Sequence, residues 1–329
     1  MHTKSKTFAD RLYSALLRTD NPTVMGLDPQ LSILPPYLLN KYFSKSEQER
    51  LTEFVGIGAR RPGSERYELS ARLAELIGEF NRNLIDFVAD IIPAVKPQVA
   101  FYEQLGQPGI DCLEQTMRLA REKGLLVIAD AKRGDIGSTA QAYAAAWLGG
   151  ESAADALTVN PYLGTDGMEP FLAACRKFNK GLFILVRTSN PSASELQDLE
   201  VEGEPLYAHV ARLVAQWGND PDLIGASGFS SIGAVVGATW PAEAKLIRDV
   251  LPRTFFLIPG YGAQGGAAED CAAGFAAENY GALVNASRSL IAAWRTVASS
   301  DAADVGADYA AATRAAALRM RDELRAAAL

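Results

Sequence analysis

Residues 130–135 read Asp-Ala-Lys-Arg-Gly-Asp, so four charged side chains fall within six positions. A second lysine, Lys96, lies in the short run AVKPQ (94–98). If both runs are strands of one sheet, Asp130 and Lys132 stand two apart and share a face, because strand side chains alternate. Lys96, Asp130, Lys132 and Asp135 then form an array of alternating sign. In a partly dry site each opposite pair attracts by roughly 4 kcal/mol at about 4 Å and an effective dielectric of about 20. Alternation keeps each lysine protonated and each carboxylate ionised. Three uses fit such an array. It could tie neighbouring strands together, or hold a divalent metal between carboxylates. It could also hold a lysine as general acid beside carboxylates that repel an anionic substrate group. The spacing alone does not choose among them. Arg133 would face away from Lys132 and is read as structural.

A second group of residues suits an anion. PGYGAQGGA (259–267) carries four glycines, which let backbone N–H groups approach a phosphate closely. NASRS (285–289) follows the next apolar run and offers Arg288 as a bidentate phosphate ligand. With Gln264 in the glycine loop, the pair of segments reads as a phosphate site, and a ligand would bridge from there to the charged array.

These residues need elements to hold them. Short apolar runs at 23–29, 94–98, 125–132, 156–162, 181–189, 232–239, 255–262 and 281–288 read as eight strands. Most are continuously apolar, as parallel strands buried on both faces are. Helical patterns lie between them, as at 73–92 and 109–124. Alternation with a count of eight predicts an α/β protein of one domain, a closed (β/α)₈ TIM barrel, with a doubly wound open sheet as the alternative. Asp28, Lys96, Asp130, Lys132, Asn160, Ser189, Gln264 and Arg288 all fall at the C-terminal ends of strands, where barrel active sites are built. In barrels the loops after strands seven and eight are a frequent phosphate site. Two connections are long. Residues 30–72 are read as an insertion after strand one, and 190–231 as a loop and helical segment after strand five that is as well suited to a lid as to an insertion. The Ala-rich tail, 300–329, reads as a helix used for packing or association.

Composition narrows the partners. The 329 residues are 48% apolar and 22% charged, with a net charge of −7. That is an ordinary soluble composition with material for a large core, and an acidic balance unsuited to nucleic acid. Three scattered cysteines form no CxxC pair, which points to a reduced, cytoplasmic setting. Two histidines, His2 and His209, supply neither a triad nor a usual zinc set. No apolar run of about 18 residues exists, so no membrane span is expected. Near the N-terminus Phe8, Leu12 and Leu16 recur at helical spacing around Asp10 and Arg11, which predicts an amphipathic helix and not a signal peptide.

Taken together, Asp130-x-Lys132-x-x-Asp135, Lys96, the PGYGAQGG loop and Arg288 resemble the orotidine 5′-phosphate decarboxylase family. The likeness runs through MGLDP (25–29), AVKPQVAFYE (94–103), ADAKRGDIGSTA (129–140), TVNPYLGTDGMEPF (158–171), RTSNPSA (187–193), VVGATWP (235–241) and SRSL (287–290). The VNPYLG- and TSNP-like segments are similar to the family's longer variants. The resemblance implies decarboxylation of orotidine 5′-monophosphate to uridine 5′-monophosphate with no metal and no organic cofactor. It implies Lys132 as proton donor to pyrimidine C6, Asp130 beside the substrate carboxylate, and Lys96 as the link between Asp130 and a ribose hydroxyl. It further implies Asp28 on the ribose, Ser189 on the pyrimidine amide, and Gln264 and Arg288 on the phosphate. Asp135, with Ile136 and Thr139 beside it, would come from the neighbouring subunit of a homodimer. Two departures stand out: the glycine loop runs GGAAED where many relatives have Asp directly after the second Gly, and Ser287 stands where some have Gly.

The nearest rivals are the Mg²⁺-dependent sugar-phosphate decarboxylases and lyases of the same superfamily, which share D-x-K-x-x-D but have an acidic residue where Lys96 stands. A barrel that only binds nucleotides is the other alternative. A pure binder has no need of a carboxylate beside an anionic ligand.

Overall fold

The computed structural model describes residues 6–54, 62–150, 153–262, 265–276, 280–297 and 305–328. Eight parallel strands close into a barrel: β1 (Thr23–Leu27), β2 (Ala94–Pro97), β3 (Leu126–Arg133), β4 (Ala156–Val159), β5 (Gly181–Arg187), β6 (Ser230–Val236), β7 (Thr254–Ile258) and β8 (Ala282–Ala286). Each pairs with its sequence neighbours, and β8 returns to β1 through Thr23 and Val284. The expected (β/α)₈ barrel is the observed one, and an open sheet is excluded by that closure. Seven of the strands are buried along almost their whole length, which explains their unbroken apolar runs; β3 leaves burial only at its last three residues.

Helix α1 (Phe8–Thr19) closes the end where the strands begin. Phe8, Leu12 and Leu16 are buried against Phe183 and Phe255, as their spacing predicts, and Phe8 meets the Phe183 ring edge-on. Thr7 caps the helix, accepting from Asp10 N at 3.1 Å. Arg11 fastens it to buried Asp155, just ahead of β4, at 2.5 Å.

The outer layer holds α2 (Glu65–Val88), α3 (Gln107–Glu122), α4 (Gly137–Leu148), α5 (Gly164–Phe178), α6 (Leu206–Gly218), α7 (Pro241–Val250) and α8 (Tyr309–Ala328). Helix α2 starts eight residues before the periodic pattern that predicts it, because Ser64 caps it by accepting from Tyr67 N at 3.3 Å. Apolar periodicity marks only the stretch that packs, whereas the cap sets the start.

The connection after β1 forms a 3₁₀ turn at Leu31–Ile33 and helices at Pro36–Tyr42 and Lys45–Phe54. Ile33, Leu34, Leu38, Phe43 and Leu51 join the main core. Helix α8 packs on α2 and also sends Ala316, Ala317, Met320 and Leu324 into that core.

Candidate active site

The barrel's C-terminal end opens on a cavity of about 740 Å³. Asp28, Lys96, Asp130, Lys132, Ser189 and Arg288 all line it, so six of the ten residues singled out in the sequence are brought together. Gln264 lies outside the described residues. Asp135, Ile136 and Thr139 do not line their own chain's cavity. They stand on the rim beyond β3, and the Asp135 carboxylate is turned back onto Ile136 N at 2.8 Å.

Asp130 is the hub. Lys96 Nζ donates to its Oδ2 at 2.6 Å and Lys132 Nζ to its Oδ1 at 2.6 Å. Gln98 adds a donor to Oδ2 at 3.0 Å, and the Thr158 hydroxyl donates to Oδ1 at 3.0 Å. Strand register explains the meeting: Gln98 pairs with Asp130 across β2 and β3, which places Lys96 one pleat below. Lys96 and Asp130 are buried, while the Lys132 side chain is 47% exposed to the cavity. Burial by itself would push the Asp130 carboxyl up. The charges of Lys96 and Lys132, with their hydrogen bonds, outweigh it and hold the group well below the usual carboxylate range. Burial would likewise pull the Lys96 ammonium down, yet Asp130 and then Asp28 raise it. Asp130 and Lys96 are therefore both held in their charged forms.

Lys132 reaches this place by a local distortion. From Ala129 to Arg133 β3 advances four positions while β4 advances two, from Leu157 to Val159. Within that bulge Lys132 has φ 48°, a left-handed conformation costly for a residue with a Cβ. Thr158 Oγ1 accepts from Lys132 N at 2.9 Å and holds the distortion. Arg133 turns outward, bonds Glu103 and lies 5.7 Å from the Tyr143 ring and 5.5 Å from that of Trp147, the structural role its position suggests.

Beside the array, at the end of β1 and on the adjoining β8, Asp28 Oδ1 and Asn285 Oδ1 are buried without a hydrogen-bond partner among the described residues. Both line the cavity, and orphaned buried acceptors are expensive unless a ligand supplies donors. Ser287 packs against Gly26. A Cβ on Gly26 would lie 2.0 Å from Ser287 Oγ, so the serine occupies space that only a glycine on β1 leaves open. The glycine loop after β7 uses φ 107° at Gly260, 68° at Gly262 and 91° at Gly265. It is tied by Gly262 N to Gly266 O at 2.8 Å.

Among the lining residues that the sequence reading did not single out are Gln98, Thr158, Gln197 and Asn285. Gln98 follows Lys96 by two and Thr158 precedes Asn160 by two, so strand alternation offered a signal for each. Asn160 instead caps a turn, accepting from Tyr162 N at 3.0 Å. Gln197 carried no signal, since it lies in a connection far from any strand pattern.

A closed barrel with its charged residues gathered at the C-terminal mouth is built as an enzyme, and its relatives place this chain in the carboxy-lyase class of barrel enzymes. It belongs to the orotidine 5′-phosphate decarboxylase / HUMPS family, whose sequence pattern matches residues 79–303. An orotidine 5′-phosphate decarboxylase of Rhodopirellula baltica is 40% identical over 325 residues, covering 97% of this chain and 99% of the relative. One of Deinococcus radiodurans is 43% identical over 264 residues, covering 79% and 90%. Among solved structures, Leishmania donovani OMP decarboxylase has a TM-score of 0.69 at 28% identity, with 98% of each chain covered.

Proposed function

We infer that this chain catalyses the decarboxylation of orotidine 5′-monophosphate to uridine 5′-monophosphate in pyrimidine synthesis. The observation that carries the mechanism is the Lys96–Asp130–Lys132 contact, both lysines at 2.6 Å from one buried carboxylate. The bond from pyrimidine C6 to the carboxylate breaks, its electron pair stays on C6, and CO₂ leaves. Lys132 stabilises that developing charge and then delivers a proton from Nζ to C6; the amine recovers its proton from solvent. Asp130 beside the substrate carboxylate disfavours the bound ground state, while the fixed charges around it favour the transition state. Because the array is already paired, little reorganisation is needed when charge develops.

Asp28 binds ribose hydroxyls, which would satisfy its orphaned oxygen, and Lys96 bridges Asp130 to the ribose. Ser189 bonds the pyrimidine amide. Arg288 and the glycine loop, with Gln264, hold the phosphate, the remote handle whose binding energy can be used at C6. No metal or organic cofactor has a part in this reading. Against the Mg²⁺-dependent sugar-phosphate relatives stands Lys96, a cation where a metal site needs an acid.

Asp135, Ile136 and Thr139 serve the site of a second copy, so the active unit is a homodimer. Their absence from their own cavity supports this, and so does the apolar rim nearby: Ile136 is 53% exposed, Tyr162 77% and Leu163 46%. A cytoplasmic setting agrees with three buried, unpaired cysteines.

The test is direct. EDTA-treated protein is mixed with orotidine monophosphate and the loss of its ultraviolet absorbance is followed, beside Lys132→Ala. Turnover is expected in the wild type and a loss of several orders of magnitude in the variant. No turnover by the folded wild type would overturn the activity; turnover undiminished in Lys132→Ala would overturn the proton donor alone.

A further inference from the structure

Gln197 reaches the cavity from the connection after β5 and has no part in the mechanism above. Its amide is engaged in a clamp on the strand end. Oε1 accepts from Thr188 N at 2.9 Å and from Arg187 Nη1 at 3.3 Å, and Nε2 donates to Thr188 Oγ1 at 2.7 Å. Arg187 is wholly buried, 0% exposed, with its guanidinium 4.0 Å from the Trp240 ring centroid, and it donates also to Asp198 at 3.1 Å. Trp240 Nε1 donates to Thr188 O at 2.9 Å. Thr188 is thus gripped at its N–H, its carbonyl and its hydroxyl.

The next residue is Ser189. On its other side Gly237 packs so closely that a Cβ there would lie 2.8 Å from Ser189 Cα. A buried guanidinium must spend its donors within the protein, and here Nη1 and Nη2 are spent on residues 197 and 198 while Nε has no partner among the described residues. Those are the residues that bring Gln197 to Thr188.

We propose that Gln197 is a positioning residue for pyrimidine recognition: clamped by Arg187, it fixes the Thr188–Ser189 turn so that the Ser189 side chain is set before the base arrives. This rests on the reading of Ser189 as a contact to the pyrimidine. A preset contact avoids the entropy of ordering the turn on binding, and that saving appears in the affinity for the base and not for the phosphate.

A double-mutant cycle of Gln197→Ala and Ser189→Ala, read by kcat and KM for orotidine monophosphate, tests it. Gln197→Ala is expected to lower kcat/KM about tenfold, chiefly through KM, as loss of one to two net hydrogen bonds would. The Ser189→Ala loss is expected to shrink markedly in the Gln197→Ala background, because both act through one contact. Affinity for ribose 5-phosphate, which has no pyrimidine, is expected to stay within twofold. Additive losses, or an equal weakening of ribose 5-phosphate, overturn the inference. A Ser189→Ala enzyme with wild-type kinetics overturns the reading of Ser189 itself, and the inference with it. Gln197→Asn, one methylene too short to reach Thr188, serves the same cycle if the alanine variant folds poorly.

Discussion

Lys132 folds back onto Asp130 across a single intervening residue, its Nζ 2.6 Å from Oδ1, and does so through a left-handed backbone at φ 48°. In a regular strand these side chains would run side by side. Here the bulge against β4 turns one toward the other, at a backbone cost on the order of 1 kcal/mol. Local strain of this kind persists only where its surroundings impose it, and Thr158 is the residue that does so.

Thr158→Val is therefore expected to lower kcat about tenfold with little change in KM, since tenfold corresponds to about 1.4 kcal/mol. Valine keeps the volume but leaves Lys132 N without its acceptor and Asp130 without one donor. Steady-state kinetics check this; an unchanged kcat would show that the Lys132 backbone is held by other contacts.

The array sets a pH window for stability. Asp130 titrates lower in the folded state than unfolded, so its contribution is present above about pH 4 and fades as pH falls toward its folded value. Lys96 titrates higher when folded, so its contribution is present below about pH 10 and fades as pH rises through its folded value. Asp130→Asn is expected to cost roughly 3 kcal/mol at neutral pH, because Lys96 loses its partner while still buried. It is also expected to flatten the acid limb. Urea midpoints of both proteins at about pH 3 and about pH 7 give the comparison. Parallel curves would refute the assignment.

The proposed homodimer, with Asp135 serving the site of a second copy, predicts complementation. Lys132→Ala and Asp135→Ala are each expected to be nearly inactive alone. Refolded together in equal amounts, they should recover about a quarter of wild-type activity, because half the dimers are hybrids and each hybrid has one intact site of two. Recovery absent at concentrations where sedimentation shows dimers would place Asp135 in its own chain's site.

Away from the site, Arg248 is buried over the Phe256 ring at 3.5 Å and donates to four carbonyls, those of Leu251, Thr254, Gly274 and Gly281, at 2.6–2.9 Å. It joins the end of α7, the start of β7 and the chain entering β8. Arg248→Met is expected to lower stability by about 3 kcal/mol or more, by orphaning those carbonyls, with kcat at 25 °C unchanged. Thermal melts and kinetics on one preparation separate the two effects.

Much of the barrel was legible because it rests on a repeated one-dimensional signal. Continuous apolar runs mark strands buried on both faces, and the helical spacing of Phe8, Leu12 and Leu16 predicts the plug they form. The start of α2 was not legible from periodicity, because Ser64 is a polar cap outside the packed stretch. Gln197 was not legible at all: what brings it to Thr188 is a buried arginine and the path of a connection, neither of which leaves a periodic trace.

The sequence by itself determined the strand count, the residues at the strand ends and the alternating charges of Lys96, Asp130 and Lys132, since spacing and side-chain type suffice for these. Only the tertiary structure decided that both lysines grip opposite oxygens of one buried carboxylate, and that Asp135 does not line the cavity that Asp130 and Lys132 line. Register between strands, the β3 bulge and a positive φ set those distances. They arise from the packing of the whole barrel, where a residue's partner is chosen by geometry across strands and not by its place along the chain.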